Sequence, residues 1–349
     1  MFRSASHPSP AYPSKPYLKF TLATLAVLAL GSSPIPAHAL AFTFQNIIDT
    51  KDPTFNQALG INAAGTIAGY FGIGSAAHPN QGYTVVPPYN TPASFTDENF
   101  PGSVQTQVIG INNAGVTVGF WIDGGGVNHG FDKIGATFAT IDNPLTNSTP
   151  AFNQLLGVNN ANLAAGVYMD AGGNSHGYIA TLGAVPVFTP VNVAGATSLT
   201  ATGINDADLV SGFFVNATGN TLGFLENENG TGLITFEVPG STMTQFFGLN
   251  NTGEAVGDFV DAAGNTHGLI YNIAAGTFTS IDDPNIGGTP TMTVINGVDD
   301  KGDLVGFYMD AGGNTIGLLA TAVPEPASLA LLATGLLGIA ATRRRRKAA

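Results

Sequence analysis

The chain has 349 residues, of which 44% are apolar, 10% are charged and none is cysteine, so a large core is available but disulfides are excluded. Between residues 40 and 323 only three lysines stand against 22 acidic residues. Such an acidic body repels phosphate backbones, which excludes nucleic acid as a partner and leaves cations, neutral glycans and basic proteins.

The first predicted element is an apolar run at residues 20–31, which follows lysines and precedes Ala37-His38-Ala39. This order of charged, apolar and small residues is typical of a secretory signal peptide, with cleavage after Ala39. The run is shorter than the roughly 20 residues that a membrane span needs, although an uncleaved N-terminal anchor is the alternative. Residues 1–39 are therefore predicted to direct the chain into the secretion machinery.

Residues 40–322 contain six copies of one unit, spaced 45–50 residues apart. The defining tripeptides are Gly60-Ile61-Asn62, Gly110-Ile111-Asn112, Gly157-Val158-Asn159, Gly203-Ile204-Asn205, Gly248-Leu249-Asn250 and Gly297-Val298-Asp299. Three residues after each Asn or Asp stands a Gly, Asn or Asp, a type that tolerates a positive φ. The pattern predicts a tight turn in every copy.

A strand with a repeated glycine follows each of these turns. The glycines are Gly69, Gly119, Gly166, Gly212, Gly257 and Gly306, and the aromatic residues two positions later are Phe71, Trp121, Tyr168, Phe214, Phe259 and Tyr308. Glycine within a strand predicts a bulge or a close backbone approach. The aromatic side chains are expected to pack between neighbouring copies.

Each copy is predicted to hold about four short strands, because a second turn and a further strand follow, and another strand such as 137–142 opens the unit. Six four-stranded units of this length predict an all-β fold, a six-bladed β-propeller. Closure of such a ring removes exposed sheet edges without disulfides. A β-solenoid and stacked sandwiches are the alternatives.

The copies resemble the HAF-type extracellular repeat, which is named for a His-Ala-Phe-like tripeptide. The matching residues are the Gly-Ile-Asn motif, the strand glycine, and His129-Gly130-Phe131 or His176-Gly177-Tyr178, with glycine in place of the alanine. The resemblance spans most of residues 42–322. It implies an extracellular repeat protein and no particular chemistry.

Residues 323–349 form a tripartite tail. Val323, Pro324, Glu325 and Pro326 lead into a predicted apolar helix at 327–342, and the basic residues Arg343, Arg344, Arg345, Arg346 and Lys347 follow. The basic cluster is expected to stay cytoplasmic. The tail resembles the PEP-CTERM sorting signal, which implies transient retention in the inner membrane, cutting by an exosortase near Pro-Glu-Pro, and release to the cell surface or extracellular matrix. A permanent anchor is the alternative.

Two sets of repeated side chains are candidate metal ligands. His129, His176 and His267 share one position of the repeat, but other copies place Leu222 or Ile316 there, which favours a half-buried strand position. Four aspartates of the second turn are weak calcium candidates, because calcium prefers carboxylates in glycine-rich loops. They are Asp123, Asp170, Asp261 and Asp310. Capping of their own turns is the alternative, and no other cofactor is predicted.

No catalytic constellation is recognisable, because the chain lacks a nucleophile elbow, a phosphate loop and any cysteine. We therefore expect a non-catalytic binding or structural module associated with exopolysaccharide. Trp121, Tyr168 and Tyr308 would stack on sugars if they were exposed, although core positions are expected. The alternative is a propeller-based secreted hydrolase or lyase that uses a carboxylate pair at one mouth of the central channel. A purely mechanical spacer is a third hypothesis.

Overall fold

The computed structural model describes residues 42–323, which form 24 β-strands and one 3-10 turn at Pro92–Ser94. The all-β prediction is confirmed for this part of the chain. Within it, no helix has the length and apolarity needed to cross a membrane. The predicted cleavage residues Ala37 and Ala39, the tail from Pro324 through Glu325 and Pro326 to the helix 327–342, and the basic cluster 343–347 lie outside the described residues.

The strands form antiparallel groups of four, which we number as sheets 1 to 6. Sheets 1 and 2 consist of β2 (Asn56–Ile61), β3 (Ile67–Phe71), β4 (Gln81–Val85) and β5 (Phe95–Asp97), and of β6 (Gln105–Ile111), β7 (Thr117–Ile122), β8 (Asn128–Ile134) and β9 (Thr137–Thr140). Sheets 3 and 4 consist of β10 (Asn153–Val158), β11 (Leu163–Met169), β12 (Ser175–Thr181) and β13 (Phe188–Pro190), and of β14 (Ala196–Ile204), β15 (Leu209–Asn216), β16 (Thr221–Asn227) and β17 (Ile234–Phe236). Sheet 5 consists of β18 (Met243–Leu249), β19 (Glu254–Val260), β20 (Thr266–Asn272) and β21 (Thr277–Ile281), and a single parallel pair, Thr221 with Met243, joins it to sheet 4.

Sheet 6 combines the two ends of the described chain. It consists of β22 (Thr293–Val298), β23 (Leu304–Met309), β24 (Thr315–Ala322) and, as the outer strand, β1 (Phe42–Ile47). β1 runs antiparallel to β24, and Phe42 lies opposite Ala322. The first strand of the body is therefore paired with its last.

The sequence pattern predicts that strands such as 137–142 open a unit. In the structure each of these outer strands instead completes the preceding sheet. β9 at Thr137–Thr140 pairs with β8, because a tight turn at Gly135 folds the chain directly back onto that strand. The repeat in the sequence and the sheet in space are therefore offset by one strand.

The repeated strand glycine is explained by a close backbone approach. A β-carbon at these six positions would lie 1.9–2.4 Å from a carbonyl oxygen of the first strand of the same sheet. The bulge lies on that partner strand, where the register shifts around one extra residue, such as Leu59 between Ala58 and Gly60. The equivalent extra residues are Ile109, Leu156, Thr202, Phe247 and Asn296.

The first strands of the sheets contact one another in a cycle. β2 contacts β6, and the contacts continue through β10, β14, β18 and β22 back to β2. The glycines of the tripeptides make these contacts possible: a β-carbon at Gly297 would lie 3.3 Å from the Cα of Gly60, across the seam between sheets 6 and 1. Six apolar clusters fill the spaces between neighbouring sheets.

The repeated aromatic residues belong to these clusters, as expected. Phe71 packs with Val305 and Leu319 of sheet 6, and Tyr308 packs with Val256 and Ile270 of sheet 5. Tyr308 is buried, whereas Trp121 and Tyr168 are half-buried. Tyr308 is therefore not accessible to a sugar, and Trp121 and Tyr168 are only partly accessible.

Candidate functional site

The first strands of the six sheets surround a common axis, and a ring of side-chain amides lies at one end of it, where the tripeptides end. We call Asn62, Asn112, Asn159, Asn205, Asn250 and Asp299 the Asn ring. Each asparagine accepts two backbone N–H bonds of its own turn through Oδ1 and donates Nδ2 to the carbonyl of the next ring residue, 3.0–3.1 Å away. The predicted tight turns are confirmed, with positive φ at the expected positions, including Asn162 and Asp208. The ring therefore links every sheet to the next except at one seam.

Asp299 interrupts the ring. A carboxylate cannot donate the sixth bond, and its buried Oδ2 has no hydrogen-bond partner among residues 42–323, with Lys301 Nζ 4.0 Å away. Burial raises the pKa of Asp299, against the opposing effect of backbone bonds from Asp303 and Lys301. Lys301 spans the same seam by donating Nζ to the carbonyl of Ala63 at 2.8 Å.

Two carboxylates meet just outside the Asn ring. The Nδ2 of Asn251 donates to Oδ2 of both Asp206 and Asp300, at 3.0 Å each. The two carboxylate oxygens are therefore no further apart than twice that distance. The cavity at this mouth has a volume of only about 80 Å³, room for two or three water molecules.

A larger cavity lies at the opposite ends of the first strands, and we call it the axial cavity. Its volume is about 340 Å³, and the six extra residues of the first-strand bulges project into it. Gln57, Gln107 and Gln154, which share one position at the start of the first strands, line it as well. Phe213 and Phe247, whose rings meet edge to face, form part of its wall.

The axial cavity combines apolar walls with uncharged polar side chains. The side-chain amides of Gln57, Gln107 and Gln154 make no hydrogen bonds within the described residues, so their donors and acceptors are free. No ionisable side chain is among the residues 42–323 that line the cavity. Apolar walls with a few convergent polar groups are typical of small-molecule sites of this size.

Unpartnered polar atoms lie at and near the wall of this cavity. Asn296, one of the bulge residues that line it, has a buried Oδ1 without a hydrogen-bond partner in the part of the chain that the structure describes. Asp258 takes the position in β19 that Phe213 takes in β15, and its Oδ1 is also buried without a partner among the described residues. Burial raises the pKa of Asp258 to about 7. Asp258 was not singled out from the sequence, although it stands where the other copies carry apolar or aromatic residues.

The four aspartates proposed as weak calcium ligands each cap their own turn. In every case Oδ1 accepts backbone N–H bonds from the second and fourth residues that follow, at 2.8–2.9 Å. Asn216 makes the same two contacts in sheet 4, so the turn needs an oxygen rather than a charge. These turns, at Asp123, Asp170, Asp261, Asp310 and Asn216, define the Asp-turn face of the molecule. Met169 and Ser175, which flank the Asp170 turn, line the axial cavity.

The second oxygen of these aspartates is also engaged. Oδ2 of Asp170 accepts from Asn174 Nδ2 at 3.0 Å and contacts His176 Nε2 at 2.9 Å, and both contacts lower the pKa of Asp170. The bond from Asn265 is the main cause that lowers the pKa of Asp261 to about 2. Within residues 42–323 no group of three or more His, Asp or Glu side chains is arranged to hold a metal ion. Calcium binding by these turns stays a prediction.

The three repeated histidines remain separate, each in its own sheet. His267 lies between two carboxylates, with Nδ1 2.8 Å from Asp282 and Nε2 3.4 Å from Asp261, and its ring stacks on Phe259. Burial lowers the pKa of His267, but the hydrogen bonds and charges of these two aspartates outweigh it and raise the pKa overall. The two nitrogens point at different carboxylates, so this arrangement fixes the ring and does not gather ligands around one ion.

The comparison with known sequences identifies the tail. Residues 322–346 match the PEP-CTERM protein-sorting motif. The match indicates an exported protein that is processed by an exosortase and held transiently at the membrane through its C-terminal region, which confirms the predicted sorting signal. No curated protein matches the chain in sequence.

The described body resembles solved structures of low sequence identity. A putative TolB from Agrobacterium tumefaciens aligns with a TM-score of 0.52 at 11% identity, over 82% of this chain and 99% of that one. A protein of unknown function from Dyadobacter fermentans aligns with 0.51 at 11% identity, over 83% and 100% of the chains. AofleA from Arthrobotrys oligospora aligns with 0.50 at 9% identity, over 81% and 89%. At these identities the likeness shows the fold alone, which is all-β and β-propeller-like.

Proposed function

We propose that the body is a closed six-bladed β-propeller of HAF-type repeats that binds a neutral glycan of the exopolysaccharide matrix without catalysis. The cycle of first-strand contacts and the six intervening apolar clusters support the ring. The pairing of β1 with β24 supports its closure, since it places both ends of the body in one sheet. The sorting motif, which indicates export, supports a final location at the cell surface or in the extracellular matrix.

The axial cavity is the observation that carries the binding proposal. Sugars present hydroxyl groups along their edges and C–H groups on their faces. The free amides of Gln57, Gln107 and Gln154 can donate to and accept from hydroxyls, and Phe213 and Phe247 supply apolar contact. A cavity whose lining, within residues 42–323, includes no ionisable side chain favours a neutral ligand.

Calorimetric titration of residues 40–322 with neutral oligosaccharides from the host polysaccharide tests the site. We expect the variant Gln107→Ala to raise the Kd about two- to tenfold, because one neutral hydrogen bond contributes about 0.5–1.5 kcal/mol. The matched control is Gln245→Ala, since Gln245 takes the same position of the repeat but does not line the cavity. Equal loss in both variants, or no binding by the unaltered body, would refute the assignment.

A carbohydrate-active hydrolase or lyase is the second candidate, because Asp206 and Asp300 form a carboxylate pair at the opposite mouth. A pair of this kind is what glycoside cleavage requires. The candidate predicts release of reducing ends from host polysaccharide, and loss of that release in Asp206→Asn and Asp300→Asn. Polysaccharide that is bound but not shortened would favour the non-catalytic module.

A further inference from the structure

The direction of β24 fixes the point at which the sorting tail leaves the body. β24 starts at Thr315, directly after the Asp310 turn of the Asp-turn face, and ends at Ala322. The N–H of Ala322 donates to Oδ1 of Asp303 at 3.3 Å, and Asp303 follows the Asn-ring turn of sheet 6. The tail therefore leaves the body on the side of the Asn ring, which we call the Asn-ring face.

The other end of the body lies at the same place. Phe42 is paired with Ala322, and both residues line a cavity of about 260 Å³ together with Asp300 and Lys301, which adjoin the Asn ring. The axial cavity lies toward the opposite end of the strands, where Met169 and Ser175 beside the Asp170 turn line it. The attachment point and the proposed binding site thus lie on opposite faces.

The connection between body and predicted membrane helix is short. Only residues 323–326 separate Ala322 from the apolar stretch that begins at Ala327, and the five Cα–Cα steps between these two alanines span at most roughly 17 Å. β24 alone, with eight residues, spans roughly 26 Å between the two faces. The tether is therefore shorter than the body is thick, so the body cannot turn over on it.

We infer that the Asn-ring face is the surface turned toward the inner membrane before exosortase cutting, and that the Asp-turn face with the axial cavity points away from it. This orientation depends on strand direction and tether length, not on whether a glycan binds. Its consequence is that a tethered molecule already presents the cavity to material outside the membrane.

The absence of cysteine from the chain allows a direct test. Single substitutions Ala161→Cys and Ala171→Cys place one thiol on each face of sheet 3, at exposed turn positions on the Asn-ring and Asp-turn faces respectively. The full-length variants are expressed in cells that lack exosortase activity, and spheroplasts are treated with a bulky, impermeant maleimide–polyethylene glycol. We expect the thiol at 171 to react several-fold faster than the thiol at 161 in the tethered protein, and at a similar rate in the body released by cutting.

A variant with a longer linker shows whether the short tether, rather than the intrinsic reactivity of the two thiols, causes the difference in their reaction rates. Insertion of about 30 Gly/Ser residues after Val323 gives the body a root-mean-square reach of roughly 30 Å, which should abolish the difference between the two thiols. Equal rates in the tethered protein with its natural linker, or faster reaction at 161, would overturn the orientation. Because no ligand is added, either result is independent of the proposed glycan binding.

Discussion

The missing β-carbon of the second-strand glycines determines the shape of the wall around the axis. At Gly119 a β-carbon would lie 2.0 Å from the carbonyl oxygen of Gln107 and 3.0 Å from the ring of Phe131. The first strand can approach so closely only because that carbon is absent, and its bulge then directs Ile109 toward the axial cavity. One small residue thus affects both the core and the proposed site.

Substitution of this glycine should be costly. We expect Gly119→Ala to lower the free energy of unfolding by about 1–3 kcal/mol or more, because backbone must move to make room. The control is Gly124→Ala in the turn of the same sheet, where a β-carbon meets nothing within 4 Å and φ is not in the left-handed region. Urea unfolding of both variants measures the difference, and an equal effect would contradict the close-approach explanation.

Asp258 makes stability depend on pH. Its raised pKa, about 7, means that the folded protein holds the proton more tightly than the unfolded chain. The stability that it contributes is complete below the usual aspartate pKa of 3.8 and is lost as pH rises through about 7.

The variant Asp258→Asn should remove this loss. We expect the unaltered protein to lose on the order of a few kcal/mol of unfolding free energy between pH 5 and pH 8 through this group, and the variant to lose correspondingly less. Denaturant unfolding at the two pH values gives the comparison. An identical pH dependence in both proteins would show that the Asp258 carboxyl titrates normally.

At the scale of elements, the pairing partner of β1 could not be predicted from the sequence. Its residues 42–47 look like any outer strand that precedes a repeat, and nothing local indicates a partner some 270 residues away. The pairing follows from the one-strand offset between the sequence repeat and the sheet, because sheet 6 would have only three strands without β1. Ile47 is fully buried in the cluster between sheets 6 and 1, whereas Thr43 is exposed.

The pairing of β1 predicts unequal effects of two truncations within it. Ile47→Ala should lower the free energy of unfolding by about 2–5 kcal/mol, as deletion of a buried side chain from a packed core does. Thr43→Ala, at an exposed position of the same strand, should change it by less than about 0.5 kcal/mol. Similar, small effects on thermal and urea unfolding would show that β1 is not part of the cooperative fold.

The repeats made the strands predictable, but they concealed the axial cavity. Glycine and asparagine recur in register because the backbone requires them in every sheet, so comparison of copies finds them. The bulge residues vary from sheet to sheet, from Leu59 and Ile109 to Asn296, because the walls of a cavity need no common residue type. Glutamine did recur at one position of the repeat, at 57, 107, 154 and 245, and three of these four side chains line the cavity, so this repetition was a usable signal.

At the scale of the whole molecule, the closing pair of strands can be tested by reconnection. Because Phe42 lies opposite Ala322 in an antiparallel pair, a two-residue turn such as Asn-Gly can join them. A chain that begins at residue 48 and carries 42–47 after such a turn should keep its unfolding free energy within about 1 kcal/mol of the original. The same chain without the moved strand is the control, and it should unfold at a much lower urea concentration. Failure of the reconnected chain to recover would contradict the pairing.

The pairing of β1 with β24 also sets the timing of folding during export. β1 is the first strand of the body to cross the membrane after the predicted signal peptide, and β24 is the last before the sorting motif, which starts at residue 322. β1 therefore has no pairing partner and keeps an exposed strand edge until β24 has also crossed the membrane. Completion of the fold and arrival of the sorting signal then coincide, so an exosortase that acts promptly meets a body that has only just become able to close.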